Sequence, residues 1–186
     1  MLAPLLLRVS LLVERLKLNR QIEPYCLNFI MTYADKTMAE KKYNVATPAD
    51  FIPVISTVLK AAAISTDQAT IITLSGDLGA GKTTFTQQLA QQLGVTEPVV
   101  SPTFGIMKGY ELEGNQYFDQ LIHIDAYRIE DKSETGPLRF KELFTQPRTL
   151  ICIEWPEKIT EILPDEKVVV TIEILDGELR QVSVEG

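Results

Sequence analysis

The chain has 186 residues, of which 45% are hydrophobic and 23% are charged, an ordinary composition for a globular domain with room for an appendage. Cys26 and Cys152 lie far apart and neither belongs to a C-x-x-C pair, which argues against a disulfide framework or a zinc site. Residues 1–38 hold five Lys/Arg and three Asp/Glu, whereas residues 39–186 hold 13 and 22, for net charges of +2 and −9. An acidic body argues against tight, independent binding of nucleic acid, so we expect any contact with RNA to go through a partner protein.

Residues 1–38 begin with an apolar segment that four charged residues interrupt. Its longest apolar run is too short to cross a bilayer, and no convincing signal-cleavage site follows, so no membrane anchor is expected. The segment fits either a transit peptide or a start assigned too early, since Met31 and Met38 both precede a polar beginning typical of cytosolic proteins. We therefore predict an extension over residues 1–38 and a cytoplasmic domain over residues 39–186.

The folded part is expected to begin near Asn44. Residues 47–50, T-P-A-D, combine an N-cap threonine, a proline suited to the first helical position and an acid three residues after the cap. Apolar residues at helical spacing follow, and they predict a core-facing helix with a stripe formed by Phe51, Ile52, Ile55, Val58 and Leu59.

Residues 71–93, IITLSGDLGAGKTTFTQQLAQQL, carry the most specific motif. A β-branched run leads into a loop of the form G-x-x-x-x-G-K-[ST], and an amphipathic helix follows, which is the setting of a P-loop. Glycines let successive amide N–H groups point at phosphate oxygens, and the helix N-terminus adds positive partial charge. Lys82 is spaced to reach the β and γ phosphates, and the Thr83 hydroxyl can ligate Mg²⁺. The motif predicts a Mg²⁺-dependent nucleotide site, with Gly94 capping the helix.

A loop and a hairpin follow the P-loop helix. Residues 101–104, S-P-T-F, are either a simple turn or a switch loop whose threonine, Thr103, senses the γ-phosphate and Mg²⁺. Residues 106–110 and 116–124 predict an antiparallel hairpin, and Asp125 at the end of its second arm lies where α/β folds place their chemistry.

Two further residues near Asp125 keep open interpretations. His123 is either a ligand or base, or a structural residue inside a strand. Arg128 either contacts phosphate or pairs with a nearby acid such as Glu130.

A second buried strand is predicted over residues 150–153, after a short helix over residues 138–144. It ends in Glu154, and an apolar strand that ends in a carboxylate is the Walker-B pattern, in which the acid holds Mg²⁺. We assign the metal to Glu154 and the attacking water to Asp125, although the reverse assignment stays open. Trp155 either stacks near the nucleotide or belongs to the core.

The tail, residues 168–174 and 179–184, predicts a hairpin around the D-G pair at 176–177. The elements together predict an α/β protein with the P-loop NTPase fold. Its central sheet is expected to be mainly parallel and flanked by helices, with antiparallel hairpins added.

Four strings occur in one order: GDLGAGKTTF from Gly76, SPTF from Ser101, HIDAYR from His123 and IEWPE from Ile153. Together they resemble the bacterial TsaE (YjeE) family, the small ATPase of tRNA threonylcarbamoyladenosine biosynthesis, over about residues 44–186. The resemblance implies binding to the TsaB and TsaD proteins. It also implies that ATP hydrolysis supports a complex that modifies the adenosine beside the anticodon in tRNAs reading codons that begin with A.

Site roles follow from the resemblance, position by position. It implies that Thr83 and Glu154 bind Mg²⁺, that Lys82 and Asp125 serve hydrolysis, and that residues 101–104 form the switch loop. The residues so implied to bind ATP are Asp77, Gly79, Ala80, Gly81, Lys82, Thr83, Thr84, Thr103 and Trp155.

Two other functions remain as alternatives. A small-molecule P-loop kinase needs an acceptor pocket and usually an arginine-bearing lid, for which Arg139 and Arg148 are the sparse candidates. A nucleotide-gated binding switch would show slow intrinsic hydrolysis that rises when partners are added. The sequence has no N-K-x-D or T-K-x-D string to read guanine and no L-S-G-G-Q string of a transport ATPase.

Overall fold

The computed structural model describes residues 40–62, 67–130 and 138–186. These form a seven-stranded sheet in the order β1-β7-β6-β2-β5-β4-β3. The strands are β1 Lys41–Val45, β2 Thr70–Ser75, β3 Met107–Glu111, β4 Gln120–Asp125, β5 Thr149–Glu154, β6 Val168–Ile174 and β7 Arg180–Glu185. The α-helices are α1 Phe51–Ala61, α2 Lys82–Gln92 and α3 Phe140–Phe144.

The sheet is parallel at its centre and antiparallel at both sides. Strands β6, β2, β5 and β4 run parallel, whereas β7 is antiparallel to β6 and β3 is antiparallel to β4. Because β1 is antiparallel to β7, it runs in the direction of the central strands. Only β3 and β7 run in the direction opposite to the other five strands. The prediction of a mainly parallel α/β sheet with antiparallel hairpins is therefore confirmed.

Strands β2 and β5 form the middle of the sheet and are buried along almost their whole length. Alternation along β2 sends Ile72 and Leu74 to one face, where they pack in a core cluster with α1 and α2. Ile71 points to the other face and packs in a second cluster with Phe140 and Phe144 of α3. Both strands are nearly continuous in apolar residues because helices cover both of their faces.

Helix α1 begins after the predicted cap. The Asp50 carboxylate accepts hydrogen bonds from the backbone N–H groups of Thr47 and Ala46, at 2.8 and 3.0 Å. A 3-10 turn, Pro48–Asp50, then leads into the helix. The predicted stripe was wrong at Ile52, which is 42% exposed. The buried face is instead formed by Phe51, Val54, Ile55 and Val58. Ile52 lies about 100° around the helix axis from Phe51, which takes it off this face.

The predicted start near Asn44 was too late, since β1 begins at Lys41 and pairs with β7 from Val184 to Arg180. Its sequence, KKYNV, is mostly polar because β1 is an edge strand with most of its side chains exposed. Sequence periodicity could not show this strand, since its partner lies at the other end of the chain.

The predicted second arm of the β3–β4 hairpin was too long. The Asn115 side chain accepts hydrogen bonds from the backbone N–H groups of Tyr117 and Phe118, both at 3.0 Å, so these residues form a turn. Strand β4 therefore starts at Gln120 instead of residue 116.

Helix α3 was also predicted too long, because Arg139 has a φ of 53° and cannot belong to a right-handed helix. The tail hairpin of β6 and β7 is confirmed, with Gly177 at a φ of 65° in its turn.

Predictions for residues 1–38, including Cys26 and the domain boundary, lie outside the described residues and stay predictions. In the parts of the chain that the structure describes, no helix is long and apolar enough to cross a membrane.

Candidate functional site

The glycine loop motif, residues 76–83, runs from the end of β2 into the first residues of α2 as predicted. Helix α2 begins at Lys82, directly after Gly81, and buries Phe85 and Leu89 against the sheet. The first amide groups of α2 therefore face the space above the carboxyl edge of the parallel strands, where α/β folds bind ligands.

Gly76 starts the loop where a side chain has no room. Its φ is 146°, and a Cβ at this position would lie 2.3 Å from the carbonyl oxygen of Ile172 in β6. Such a contact is impossible without moving the backbone, so only glycine lets the loop leave β2 directly against β6.

Lys82 is folded back into the loop. Its Nζ donates hydrogen bonds to the carbonyl oxygens of Gly76 and Asp77, at 2.7 and 2.8 Å. It also lies 3.8 Å from the centre of the Trp155 ring, a cation–π contact. Burial lowers the pKa of the Lys82 ammonium, while nearby carboxylates, Glu154 foremost, act in the opposite direction. Two carbonyl oxygens and one aromatic ring thus hold the end of the Lys82 side chain inside the loop.

Glu154, at the end of β5, is buried beside the first turn of α2. The Thr83 hydroxyl donates to its carboxylate, with distances of 3.0 Å to Oε1 and 3.2 Å to Oε2. The His123 Nε2 lies 2.7 Å from Oε1. The structure therefore brings together Thr83 and Glu154, the two predicted metal ligands, and adds His123 to them.

Asp125 lies directly opposite Glu154 in the register of β4 and β5. Its Oδ2 accepts hydrogen bonds from the hydroxyls of Ser101 and Thr103, at 2.6 and 2.7 Å. Its Oδ1 accepts from the backbone N–H of Tyr127 at 3.1 Å. The predicted loop 101–104 is thus tied to the second predicted acid through two hydroxyl groups.

Trp155 follows Glu154 with a φ of 60°, which turns the chain sharply at the end of β5. Its half-buried ring packs against Tyr127, with ring centres 5.1 Å apart, as well as against Lys82. Arg128 lies over the ring of Phe104, at 4.2 Å, and that ring is 88% exposed.

A cavity of about 280 Å³ adjoins the glycine loop. Its walls come from the turn between β1 and α1, the glycine loop with the start of α2, and the β6–β7 hairpin. The predicted site residues Gly79, Ala80, Gly81 and Thr84 line it. Sequence reasoning missed its two charged lining residues, Glu178 and Arg180, because the D-G pair predicts the tail hairpin but no local motif links that hairpin to the glycine loop.

Arg148 lies at the opposite end of the central strands from the glycine loop. It precedes β5 and pairs with Asp119, which precedes β4, at 2.7 Å. Because β4 and β5 are parallel, both residues sit at the amino ends of these strands, whereas Asp125 and Glu154 sit at the carboxyl ends. Arg139 pairs with Glu142 on the surface.

The oxygen atoms of Thr83 and Glu154 are the kind of donor that Mg²⁺ prefers. Among the described residues, no group of three or more His, Cys, Asp and Glu side chains could hold a metal ion. A hydroxyl and one carboxylate suit an ion that takes its remaining ligands from phosphate and water, as Mg²⁺ usually does in nucleotide sites. The residues therefore fit a magnesium ion that arrives with a nucleotide.

Fold and site together define an α/β protein in which a glycine loop, a buried lysine and two buried carboxylates meet at the carboxyl edge of parallel strands. The family model described as "Threonylcarbamoyl adenosine biosynthesis protein TsaE" matches residues 54–182. The chain belongs to the TsaE family, which confirms the resemblance read from its four strings.

Relatives support the family membership. A Bacillus subtilis (strain 168) protein named "tRNA threonylcarbamoyladenosine biosynthesis protein TsaE" is 36% identical over 146 residues, which is 78% of this chain and 85% of the relative. A Haemophilus influenzae protein of the same name is 34% identical and covers 61% of this chain and 68% of its own length. The crystal structure of Bacillus subtilis YdiB superposes with a TM-score of 0.58 at 29% identity, covering 78% of this chain and 84% of that one.

Proposed function

We propose that this protein binds and hydrolyses ATP with Mg²⁺, using the P-loop NTPase fold. It thereby supports formation of threonylcarbamoyladenosine in tRNAs that read codons beginning with A. It acts in the cytoplasm with the TsaB and TsaD proteins. The observation that carries the proposal is the contact between the Thr83 hydroxyl and the Glu154 carboxylate, at 3.0 Å, beside the lysine of the glycine loop.

In this proposal the glycine loop and Lys82 bind the phosphates. The ammonium group already lies in the loop, where two carbonyl oxygens hold it. A phosphate oxygen is a stronger partner than a carbonyl because the hydrogen bond to it is charge-assisted. The backbone of Asp77, Gly79, Ala80 and Gly81 and the start of α2, with Thr84, complete the phosphate site.

Thr83 and Glu154 would hold Mg²⁺, which neutralises the charge of the β and γ phosphate oxygens when it is bound. Asp125 would orient the attacking water from the neighbouring strand. Ser101 and Thr103 hold its carboxylate, so the same hydroxyl groups would report the state of the site to the loop 101–104. Trp155 would lie beside the phosphates, since it packs on Lys82.

The cavity beside the glycine loop would take the base and ribose of ATP. It directly adjoins Gly79 to Gly81, and Phe51 contributes an aromatic side chain to its wall. Its volume of about 280 Å³ is close to the lower end of the range for ligand pockets, roughly 300 Å³.

The resemblance to the family suggests TsaB and TsaD as partners, and the charge of the chain supports indirect contact with tRNA. Residues 39–186 carry a net charge of −9, which disfavours direct contact with the phosphates of tRNA. Contact with tRNA would therefore pass through TsaB and TsaD. The kinase alternative is weaker, because Arg148, one of the two candidate lid arginines, lies at the amino ends of the central strands, away from the glycine loop.

The test is ATP hydrolysis by the full chain, alone and with TsaB, TsaD and an acceptor tRNA. We expect low activity alone and a rise with the complex. Activity that ignores these proteins but needs a small-molecule acceptor would favour a kinase. Nucleotide-dependent binding to the partners without any hydrolysis would favour a binding switch.

The variant Lys82→Ala identifies the site in that assay. Loss of the ammonium should reduce ATP turnover to background while the circular dichroism spectrum stays unchanged, because the described partners of Nζ are two loop carbonyls and the Trp155 ring, and none of them belongs to the strands of the sheet. Unchanged turnover in this variant would place the reaction elsewhere.

A further inference from the structure

His123 is a buried polar residue of β4 to which the proposed function assigns no role. Its side chain has no exposed surface, and its Nε2 lies 2.7 Å from the Glu154 Oε1. The other ring nitrogen, Nδ1, has no hydrogen-bond partner among the described residues. A carboxylate oxygen accepts hydrogen bonds, so Nε2 carries the hydrogen and donates it to Glu154. Among the described residues, the hydrogen-bond partner of this ring is therefore the Glu154 carboxylate alone.

The register of the sheet creates this contact. His123 pairs with Cys152 in the β4–β5 ladder, and Glu154 follows Cys152 by two residues on β5. Side chains two residues apart on a strand share a face, so His123, Cys152 and Glu154 all point toward α2. There the Thr86 hydroxyl lies 3.4 Å from the Cys152 sulfur, which places helix α2 over this row of side chains. Packing on every side leaves the imidazole little freedom to turn.

The two oxygens of Glu154 have different surroundings. Among the described residues, Oε1 accepts hydrogen bonds from His123 and Thr83, at 2.7 and 3.0 Å, whereas Oε2 has only the longer contact with Thr83, at 3.2 Å. The shorter contacts hold the carboxylate through Oε1, which fixes the direction in which Oε2 points. Oε2 is thus the oxygen that remains available to a cation.

We propose that His123 is a positioning residue, which donates a hydrogen bond to Glu154 Oε1 and so presents Oε2 to the magnesium ion of a bound nucleotide. This inference rests on the proposed function. His123 itself is not a ligand, because its one bonded nitrogen is occupied by Glu154 and Mg²⁺ prefers oxygen. Partners that orient a metal ligand typically change metal affinity by about 10- to 100-fold when they are removed.

The test uses two amide variants of the full chain. In His123→Gln the amide nitrogen lies about as far along the side chain as Nε2 and still reaches Glu154. In His123→Asn the amide nitrogen matches Nδ1 and falls short. Both variants bury an amide at the same position, so general effects on folding are matched. His123→Met adds a variant of similar length without a donor.

The measurement is binding of a fluorescent ATP analogue, first in EDTA and then with increasing Mg²⁺. For His123→Asn and His123→Met we expect a rise of about 10- to 100-fold in the Mg²⁺ concentration that gives half of the maximal change in nucleotide binding. Affinity in EDTA should stay within about twofold, since the phosphates bind to the glycine loop. His123→Gln should stay close to the wild type.

Other results overturn the inference. One is an unchanged Mg²⁺ requirement in His123→Asn. Another is an equal loss of affinity in EDTA and in Mg²⁺, which would mean that the residue is only structural. If His123→Met does not fold, the Gln and Asn pair still decides. A wild-type protein without Mg²⁺-dependent nucleotide binding would refute the proposed function itself, which separates the two failures.

Discussion

Glu154 and Asp125 are direct neighbours across β5 and β4, yet their side chains have different partners. Glu154 contacts the glycine-loop threonine, and Asp125 contacts the two hydroxyls of loop 101–104. This difference supports the metal role for Glu154 and the water role for Asp125, which the sequence left open.

Separate substitutions test the two roles. Glu154→Ala should weaken Mg²⁺-dependent nucleotide binding by about 10-fold or more, as expected for loss of a group that holds the ion. Asp125→Ala should bind nearly normally and lose about 10²- to 10⁴-fold in turnover, the usual contribution of a positioned base. Titration with Mg²⁺ and single-turnover hydrolysis measure the two effects. The opposite order would mean that the roles are exchanged.

Gly76 is the residue on which the path of the glycine loop depends most. In Gly76→Ala the new methyl group would meet the Ile172 carbonyl at 2.3 Å, so the loop or β6 must move. We expect a loss of about 3 kcal/mol or more in the free energy of unfolding, measured with urea.

The matched control is Gly79→Ala. Gly79 also has a positive φ, 79°, but a Cβ there would have no atom within 4 Å. Only the backbone strain of about 1–2 kcal/mol should appear in the unfolding free energy. Equal losses in both variants would show that the contact with Ile172 does not decide the loop path.

At the scale of elements, the start of α1 depends on the Asp50 carboxylate. Backbone hydrogen bonds from Thr47 and then Ala46 lower the pKa of Asp50 below its ordinary value of 3.8. A carboxyl whose pKa is lower in the folded state stabilises the fold above its unfolded pKa, and this contribution is lost as the pH falls through the folded pKa.

The variant Asp50→Asn tests this pH dependence. We expect the difference in melting temperature between the wild type and Asp50→Asn to be largest at neutral pH and to shrink as the pH falls below 3.8. Thermal scans by circular dichroism at several pH values give the difference directly. A constant difference over the whole acid range would mean that the charge of Asp50 does not stabilise the turn.

Element boundaries were set by side chains that hydrogen-bond to the backbone. The sequence predicted β2, α2, β5 and the tail hairpin well, since apolar periodicity and glycine positions are local properties. It placed the start of β4 too early, because Asn115 turns the chain for several residues before pairing begins. It missed β1 because an edge strand needs no apolar pattern.

For the whole molecule, Cys152 offers a test of how the sheet opens. It lies in the central strand β5 without exposed surface, and burial raises the pKa of its thiol to about 12. In a Cys26→Ser background, a thiol reagent should label Cys152 far more slowly than an unfolded thiol, because labelling needs the thiolate and access.

Labelling in increasing urea should accelerate along the global unfolding curve. The protein with Cys152→Ser, which keeps only Cys26, controls for reaction outside the central strand. Rapid labelling of Cys152 in native buffer would show that β5 opens locally.

The sequence by itself determined the glycine loop between β2 and α2, the two acids at strand ends and the family. These depend on residue types at short spacing, which local geometry requires. Only the tertiary structure decided that His123 contacts Glu154, that Arg148 lies at the amino ends of the central strands and that Arg180 lines the cavity. These relations join residues far apart in the chain. Strand order and register determine them, and local sequence patterns do not encode either one.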